Sequence, residues 1–364
     1  MHLAREDPGT HTMSKLTETC SRIKEPDRDI AEETQRRLDV KTKPRRSLGR
    51  LEDLACQVAA IRGTSQLDPP KKAIVVMGAD HGVAGEGVSA YPQEVTGQML
   101  LNFARGGAAI NVLARHAGAD VVVVDMGVKT PLPALPEIRT HRIGAGTRNF
   151  TKGPAMTREE VVAALEVGIR IAEELVRNGV TLLGIGDMGI GNTTAASALA
   201  SVFTGTPPEE VAGRGTGIDD AALKRKIDVI RRGLSVNRPD SQDGMDVLAK
   251  VGGFEIAGLA GVVLGGAASR VPVVVDGFIC GTAALAATRI APLTAGYILC
   301  SHRSVEVGHR LVLQALGTKP LLDLDMRLGE GTGAALAMNL VDASLLILRE
   351  MATFTAAGVS DSGA

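Results

Sequence analysis

The stretch "TLLGIGDMGIGNTTAASALA" (residues 181–200) decides the fold, because it reads as a buried strand, a glycine-rich turn and a helix in direct succession. Similar apolar runs recur along the chain, and amphipathic segments such as 157–179 separate them. Continuous apolar runs suit parallel strands that are buried on both faces. The alternation therefore predicts an α/β fold, with a mainly parallel sheet layered between helices. The predicted strands are 73–78, 121–127, 181–187, 271–277 and 296–302.

The two ends of the chain differ from this central pattern. Segment 20–62 is charged and predicted to be helical, and the tail 331–364 is predicted to be helical as well. We expect both to form a small helical subdomain beside an αβα core at 63–330, with the tail joining the two. The N-terminal stretch "MHLAREDPGTHTM" lacks the apolar centre of a signal peptide, and we expect residues 1–19 to be a disordered extension.

Composition argues against several classes of protein. Lys plus Arg (40) nearly equals Asp plus Glu (41), aromatic residues make up 2% and Trp is absent, so nucleic-acid binding is not indicated. The four cysteines form no CxxC pair, which indicates reduced thiols in a cytoplasmic protein. The longest uncharged apolar stretch, 256–269, is too short to span a bilayer.

Gly184, Gly186 and Gly189 spell GxGxxG, the pattern of a dinucleotide site. That fingerprint also requires an acidic residue about 20 residues further on, at the end of the next strand. The chain has the proline turn "TGTPPEE" (204–210) there. A nicotinamide-dependent oxidoreductase is therefore a minor alternative that depends on the glycines alone.

A phosphate site fits the same turn better. Gly189 and Gly191 allow backbone N–H groups to face an anion, and Asn192, Thr193 and Thr194 open a helix whose N-terminus attracts negative charge. The alternative is a tightly packed strand–helix turn without a ligand.

Two further residues are candidates for the same phosphate. Lys226 follows another glycine loop, "GRGTG" (213–217), although a solvated basic helix face is the alternative. Ser304 lies in "CSHRSVEVGHR" (300–310), where neither the orienting group nor the elbow of a Ser–His nucleophile is visible. Ser304 is therefore interpreted as a helix cap or a phosphate donor.

The segment "GADHGVAGEGVSAYPQEVTGQM" (78–99) follows the first strand. His81 has no partner at the spacing of metal ligands, so we interpret it as a hydrogen-bonded turn histidine and predict no metal site. Tyr91 and Met99 would offer apolar surface to a planar ligand.

Glu330 stands in "MRLGEGTGAALAM" (326–338), directly before an apolar helix. A carboxylate at a helix N-terminus is stabilised in its ionised form, so Glu330 is expected to stay charged while partly buried, as a general base requires. The alternative is a simple helix cap, but Glu is not a preferred N-cap residue.

Taken together, eight segments resemble the nicotinate-nucleotide–dimethylbenzimidazole phosphoribosyltransferase family, and they occur in family order from about residue 30 to 355. They are "KPRRSLGRLEDLA" (43–55), the segments 78–99 and "GIGDMGIGNTT" (184–194), "KIDVIRR" (226–232), "DVLAKVGGFEIAGLAG" (246–261), "VVDGFI" (274–279), "SHRS" (301–304) and "RLGEGTGAALAM" (327–338).

The resemblance implies a reaction in cobalamin lower-ligand synthesis: nicotinate mononucleotide and 5,6-dimethylbenzimidazole give α-ribazole 5′-phosphate and nicotinate. It also implies a Rossmann-like αβα core, a homodimer and no metal or organic cofactor. Glu330 would take the proton of the benzimidazole, and the turn at 189–194, Lys226 and Ser304 would hold the 5′-phosphate. The base pocket would contain Tyr91, Met99 and Leu328.

One residue departs from the family pattern. Asp187 in "GIGDMG" stands where the family usually has glutamate, which is one methylene longer. If Asp187 contacts the ribose or assists proton removal, its reach is shorter. Asp187 favours the alternative of a non-catalytic nucleotide-binding or regulatory homologue, whereas the complete motif around Glu330 favours the enzyme.

Overall fold

A six-stranded, fully parallel sheet forms the middle layer of the computed structural model, which describes residues 13–215 and 217–360. The strand order across the sheet is β3-β2-β1-β4-β5-β6. This is the order of the doubly wound Rossmann fold, in which ligands bind beyond the carboxyl ends of the strands where the order reverses. The strands are β1 (Lys72–Ala79), β2 (Ala119–Gly127), β3 (Ile138–Thr140), β4 (Leu182–Met188), β5 (Val273–Val275) and β6 (Ile298–Cys300).

Helices cover both faces of this sheet. Short 3₁₀ turns occur at Gly82–Glu86 and Pro292–Tyr297. The α-helices of the described residues are α1 (Lys15–Arg22), α2 (Arg28–Asp39), α3 (Arg50–Arg62), α4 (Glu94–Ala104), α5 (Ala109–Ala117), α6 (Arg158–Arg177), α7 (Asn192–Thr204), α8 (Pro208–Val211), α9 (Asp220–Asn237), α10 (Gly244–Val251), α11 (Phe254–Ala268), α12 (Phe278–Ile290), α13 (Val307–Ala315), α14 (Thr332–Glu350) and α15 (Phe354–Ala357).

Strand β1 shows how the three layers are held together. All its residues are buried, and alternate side chains point to opposite faces of the sheet. Val75 and Met77 join the core under α6 and α11, while Ile74 and Val76 join the core under α5 and α14. A strand buried on both faces has to be apolar throughout, which is why the apolar runs predicted it correctly.

All five predicted strands are confirmed, and so is the three-layer αβα class. Two strands are shorter than predicted: the one expected at 271–277 is Val273–Val275, and the one expected at 296–302 is Ile298–Cys300. Strand β3 was missed because its three residues, Ile138–Thr140, contain a single apolar side chain at the edge of the sheet.

The predicted disordered extension is wrong for residues 15–19, which belong to α1. Ser14 caps this helix by accepting the backbone N–H of Thr17, and Lys15 pairs with Glu173 at 2.9 Å on α6. Residues 1–12 lie outside the described part of the chain. The amphipathic pattern of α1 is only two turns long, which makes it easy to overlook.

The terminal segments contact each other as expected for a small helical unit. Helix α14 packs against α2 and α3, and Lys41 pairs with Thr353 in an isolated bridge. Helix α14 also packs on β4 and β5. We propose on these contacts that residues 20–62 and the described part of the tail, 331–360, form a small subdomain attached to the core.

Among the described residues, one helix, α14, has the length and apolarity of a membrane span. However, 56% of its most apolar window is buried inside the protein. A helix packed on a sheet and on other helices has the same composition, so this feature is weak evidence for a membrane span.

Candidate active site

A cavity of about 450 Å³ lies at the carboxyl ends of the strands. Its walls come from the turn after β4, the start of α12, the loop after β6 and the loop before α14, while residues of α4 lie at its mouth. Because all strands run in the same direction, these segments converge at one edge of the sheet. The segments predicted to carry chemistry therefore meet in one place.

Glu330 lies in this cavity on an unusual backbone. Gly329, Glu330 and Gly331 have successive φ values of 85°, 64° and 89°. The left-handed region costs a residue with a Cβ about 1–2 kcal/mol, and such strain is concentrated at functional sites. Glu330 is only 6% exposed, and its Oε2 atom has no hydrogen-bond partner. The loop therefore holds a buried carboxylate at the cavity wall, with one of its two oxygens free of hydrogen bonds.

The electrostatic expectation for Glu330 is wrong in direction. Burial raises the pKa of this carboxyl above its ordinary value, and a hydrogen bond from the backbone of Ile110 opposes the shift only in part. The expectation failed because the N-terminus of α14 serves another carboxylate. Asp276 accepts the N–H groups of Gly331 (2.9 Å), Gly333 (2.7 Å) and Ala334 (3.3 Å).

Asp276 was not among the predicted site residues. It directly follows β5 and is completely buried. Its position at the carboxyl end of a strand, in "VPVVVDG", was the available signal, since Asp187 and Ser304 also lie at or near the carboxyl ends of strands. Asp276 fixes the loop that carries Glu330 from below.

Asp187 is the penultimate residue of β4 and lines the cavity next to the Glu330 loop. Its Oδ2 accepts a hydrogen bond from the Asn192 side chain at 2.9 Å, and its Oδ1 accepts one from the Cys280 thiol at 3.4 Å. Burial raises the pKa of Asp187 to about 7. A Cβ placed on Gly329 would lie 3.5 Å from both carboxylate oxygens. The carboxylate thus supports the turn after β4 and the loop above it.

Four of the predicted phosphate residues line the same cavity: Gly189, Asn192, Thr193 and Ser304. Because Asn192 begins α7, the N-terminus of this helix faces the cavity. The turn after β4 and the loop after β6 therefore meet at one candidate anion site.

Lys226 does not line the cavity but lies directly behind it. It is 0% exposed, which excludes the solvated-face alternative. Its Nζ donates to Thr193 Oγ1 and to the carbonyl of Gly213, both at 3.0 Å. Burial lowers its pKa to about 8, against the favourable charge of Glu306. The buried ammonium thus orients the Thr193 hydroxyl and adds positive charge behind the candidate anion site.

Two predicted residues of the turn are not brought to the cavity. Thr194 is completely buried inside α7, with its hydroxyl oxygen unpartnered. Gly191, at φ 94°, is the N-cap of α7 and has a conformational role. The rotation of the first helical turn decides which of these consecutive side chains face the ligand, and the sequence does not fix that rotation.

The glycines of the GxGxxG pattern are explained by packing. A Cβ on Gly186 would lie 2.5 Å from the carbonyl carbon of Glu330. A Cβ on Gly184 would lie 2.9 Å from Met338 of α14, and one on Gly189 would lie 2.5 Å from the carbonyl oxygen of Ala79. These glycines allow β4 to approach α14 and its turn to approach β1, so the pattern needs no dinucleotide.

The predicted base pocket forms the mouth of the cavity. Tyr91, Met99 and Leu328 all line it, and Tyr91 and Leu328 are 53% and 57% exposed. Arg327, which was not predicted, lies at the rim and donates to the carbonyl of Gly215 at 3.0 Å. An apolar mouth of this kind suits a planar aromatic ligand.

His81 lies behind the turn after β4 and is completely buried. Its Nε2 atom lies 2.6 Å from Glu255 Oε1, as expected for a hydrogen-bonded turn histidine. Within residues 13–215 and 217–360, no group of three or more His, Cys, Asp or Glu side chains has the arrangement of a metal site.

Comparison with known proteins places this fold and site in one class. A family model described as "Phosphoribosyltransferase" matches residues 23–359. A relative from Chloroflexus aggregans is 58% identical over 96% of this chain and 99% of its own length. One from Geobacter metallireducens is 56% identical over 95% and 98%, respectively. Both bear the name nicotinate-nucleotide–dimethylbenzimidazole phosphoribosyltransferase.

A solved structure agrees with these relatives. The crystal structure of CobT from Thermus thermophilus matches with a TM-score of 0.88 and 48% identity, covering 92% of this chain and all of that one. The chain is thus a phosphoribosyltransferase by class. It belongs to the nicotinate-nucleotide–dimethylbenzimidazole phosphoribosyltransferase family.

Proposed function

We propose that the chain transfers the phosphoribosyl group of nicotinate mononucleotide to 5,6-dimethylbenzimidazole, giving α-ribazole 5′-phosphate and nicotinate. The observation that carries this proposal is the buried carboxylate of Glu330, which is held on a strained backbone at the cavity wall and whose Oε2 atom has no hydrogen-bond partner. Relatives that share the family name and more than half of their residues with this chain support the same reaction.

The chemistry needs one base and no acid. The pyridinium of the nucleotide is a cationic leaving group, so it departs as neutral pyridine nitrogen without protonation. One benzimidazole nitrogen attacks C1′ from the opposite face, which inverts the anomeric centre, and the other nitrogen loses its proton to Glu330. Burial raises the pKa of Glu330, and a carboxylate with a raised pKa is a stronger proton acceptor once ionised.

Different parts of the cavity wall suit the phosphate and the aromatic base. The 5′-phosphate would bind near Ser304, Thr193 and Gly189, with the Lys226 ammonium behind Thr193. The benzimidazole would lie at the apolar mouth that contains Tyr91 and Leu328. Asp187 would then support this site through its hydrogen bonds, in place of the longer glutamate that is usual in the family.

A homodimer in the cytoplasm is part of the same proposal. Cysteines 20, 56, 280 and 300 are all free thiols, as expected in a reducing compartment. The exposed apolar side chains Tyr91 and Leu328 at the mouth are suited to contact with another protein surface as well as with a ligand. Light scattering coupled to size-exclusion chromatography would give twice the 37.8 kDa chain mass for a dimer.

The reaction is tested by mixing the purified protein with nicotinate mononucleotide and 5,6-dimethylbenzimidazole and measuring nicotinate by chromatography. We expect release that depends on the benzimidazole and is lost in Glu330→Gln. A surface control, Glu18→Gln, should behave as wild type, because Glu18 is half exposed on α1. Nucleotide binding without nicotinate release would instead favour a non-catalytic homologue. Equal release by wild type and Glu330→Gln would remove Glu330 as the base.

A further inference from the structure

His309 lies one layer beneath the cavity, on α13, and is 1% exposed. Its Nδ1 atom accepts the backbone N–H of Ser304 at 2.9 Å. Ser304 lines the cavity, whereas His309 does not. This hydrogen bond therefore connects a residue of the candidate phosphate site to the interior of the protein.

The bond fixes the protonation state of the imidazole. A ring nitrogen that accepts from a backbone N–H carries no proton, so the proton of neutral His309 is on Nε2. Burial, together with the neighbouring His302, lowers the pKa of His309 to about 3. The ring is therefore neutral, and remains an acceptor for Ser304, throughout the pH range of an ordinary assay.

The ring is also held in place by its neighbours. It makes edge contacts with Phe278 (centroids 6.5 Å apart) and His302 (6.1 Å). Gly281 of α12 lies alongside the ring, since a Cβ there would be in van der Waals contact with Cδ2 and Nε2, at 3.5 Å from each. The position of the acceptor nitrogen is thus set by packing on several sides.

In the loop after β6, the hydroxyl proton of Ser304 remains free to donate a hydrogen bond. Its hydroxyl oxygen accepts the backbone N–H of Glu306 at 3.3 Å. Since a hydroxyl group can accept and donate at the same time, its proton remains available to an anion in the cavity. His309 holds the backbone of Ser304 while the Glu306 N–H holds its hydroxyl oxygen, so the position of that oxygen is set before a ligand binds.

We propose that His309 is a positioning residue, which holds Ser304 in the orientation that binds the 5′-phosphate of the nucleotide substrate. This inference rests on the proposed function. It assigns His309 no contact with the substrate, and it places its effect on nucleotide binding rather than on the chemical step.

The test compares two substitutions in the full-length protein. His309→Leu removes the acceptor nitrogen and fills its place with an apolar side chain. His309→Asn instead supplies an amide oxygen, which can accept a hydrogen bond near the position of Nδ1. We expect His309→Leu to raise the KM for nicotinate mononucleotide about tenfold, because a tenfold change corresponds to the loss of about one buried hydrogen bond. The kcat should change little. His309→Asn should stay within about threefold of wild type.

A substrate without the phosphate and a second background make the test specific. With nicotinate riboside, which has no 5′-phosphate, wild type and His309→Leu should have the same kcat/KM. In a Ser304→Ala background, His309→Leu should cause no further rise in KM, because its effect acts through Ser304. Thermal unfolding of each variant shows whether it is folded.

The outcomes separate the inference from the function on which it rests. Absence of nicotinate release by wild type would refute the proposed function. Normal wild-type activity with equal KM values in all three proteins would overturn the role of His309 alone. Equal losses in His309→Leu and His309→Asn, or a loss with the riboside as well, would also overturn it and assign His309 to packing.

Discussion

Asp276 binds the backbone N–H of Gly331 through Oδ2, at 2.9 Å, and so fixes the residue next to Glu330. Its Oδ1 takes the N–H groups of Gly333 and Ala334. One buried carboxylate therefore satisfies three donors of the α14 N-terminus and determines where the candidate base lies. The free N–H groups at a helix N-terminus need acceptors, and here a buried side chain of the core supplies them.

Replacing Asp276 with asparagine should damage both stability and activity. Asparagine supplies one acceptor oxygen, and its amide NH₂ would face a backbone donor. Because buried donors left without partners cost about 1–3 kcal/mol, we expect a loss of that size in the free energy of unfolding, measured in urea. We also expect kcat to fall, since the Glu330 loop loses its anchor. The control Asp228→Asn, on the surface of α9, should change stability by less than about 0.5 kcal/mol.

The activity of the protein should decline on acidification at a higher pH than an ordinary glutamate would require. Glu330 acts as a base only when ionised, and burial raises its pKa. The acid limb of kcat/KM should therefore lie above the ordinary glutamate value of 4.5. A limb at or below that value, in a pH series with a constant-ionic-strength buffer, would contradict the burial argument.

The same shift predicts how stability depends on pH. The folded state binds the Glu330 proton more tightly than the unfolded state does, so stability is lost as pH rises through the raised pKa. The Glu330→Gln variant does not lose stability in this way, because glutamine does not ionise. We expect the variant to be more stable than wild type at neutral pH, with the difference disappearing at pH values below the ordinary glutamate pKa. Chemical denaturation at several pH values measures the difference.

Backbone strain at position 330 gives a separate prediction. At most positions in a helix or strand, glycine makes a protein less stable than alanine does. Glu330, however, has φ 64°, which lies in the left-handed region. At such an angle the Cβ of alanine is unfavourable by about 1–2 kcal/mol. Glu330→Gly should therefore be more stable than Glu330→Ala, and both should lack activity because both lack the carboxylate. If alanine proves equal or better in unfolding measurements, the loop is not strained at this residue.

Binding of the nucleotide should weaken in mild alkali. Lys226 has its pKa lowered to about 8, so its positive charge behind the phosphate site is lost as pH rises through that value. We expect kcat/KM for nicotinate mononucleotide to fall above pH 8. Lys226→Met should have a low kcat/KM without this alkaline limb. An unchanged limb in the variant would assign the titration to another group.

Gly186 should not tolerate a side chain. A Cβ there would lie 2.5 Å from the carbonyl carbon and oxygen of Glu330, so Gly186→Ala should displace the loop, destabilise the fold by about 1–3 kcal/mol and reduce kcat. Gly85→Ala is a matched control, because a Cβ on Gly85 meets nothing within 4 Å. Similar effects of the two substitutions would show that the close approach at Gly186 is not what matters.

The sheet was largely predictable because its strands are buried on both faces and therefore apolar throughout. β1 and β4 are clear examples, since nearly every residue in them is buried. β3 lies at the edge with one buried residue, and α1 is short and mostly polar, so neither gives a strong pattern.

The site was predictable in place but less so in detail. Strand ends converge at one edge of a parallel sheet, which correctly brought Asp187, Ser304 and Glu330 into one cavity. The contact between Asp276 and the α14 N-terminus joins residues 55 positions apart, and it removed the donors on which the expected ionisation of Glu330 depended. The burial of Thr194 likewise depends on helix rotation, which one sequence does not determine.

Helix α14 begins two residues after Glu330 and runs to Glu350, packed on the sheet along its length and against α2 and α3. The candidate base is thus carried by an element that belongs equally to the catalytic core and to the helices formed by the chain termini. Loosening of α2 or α3 would therefore shift α14 and, with it, the nearby residue Glu330, which takes the proton in the proposed reaction. Deleting α2 and α3 should consequently reduce catalysis without altering a single side chain of the cavity.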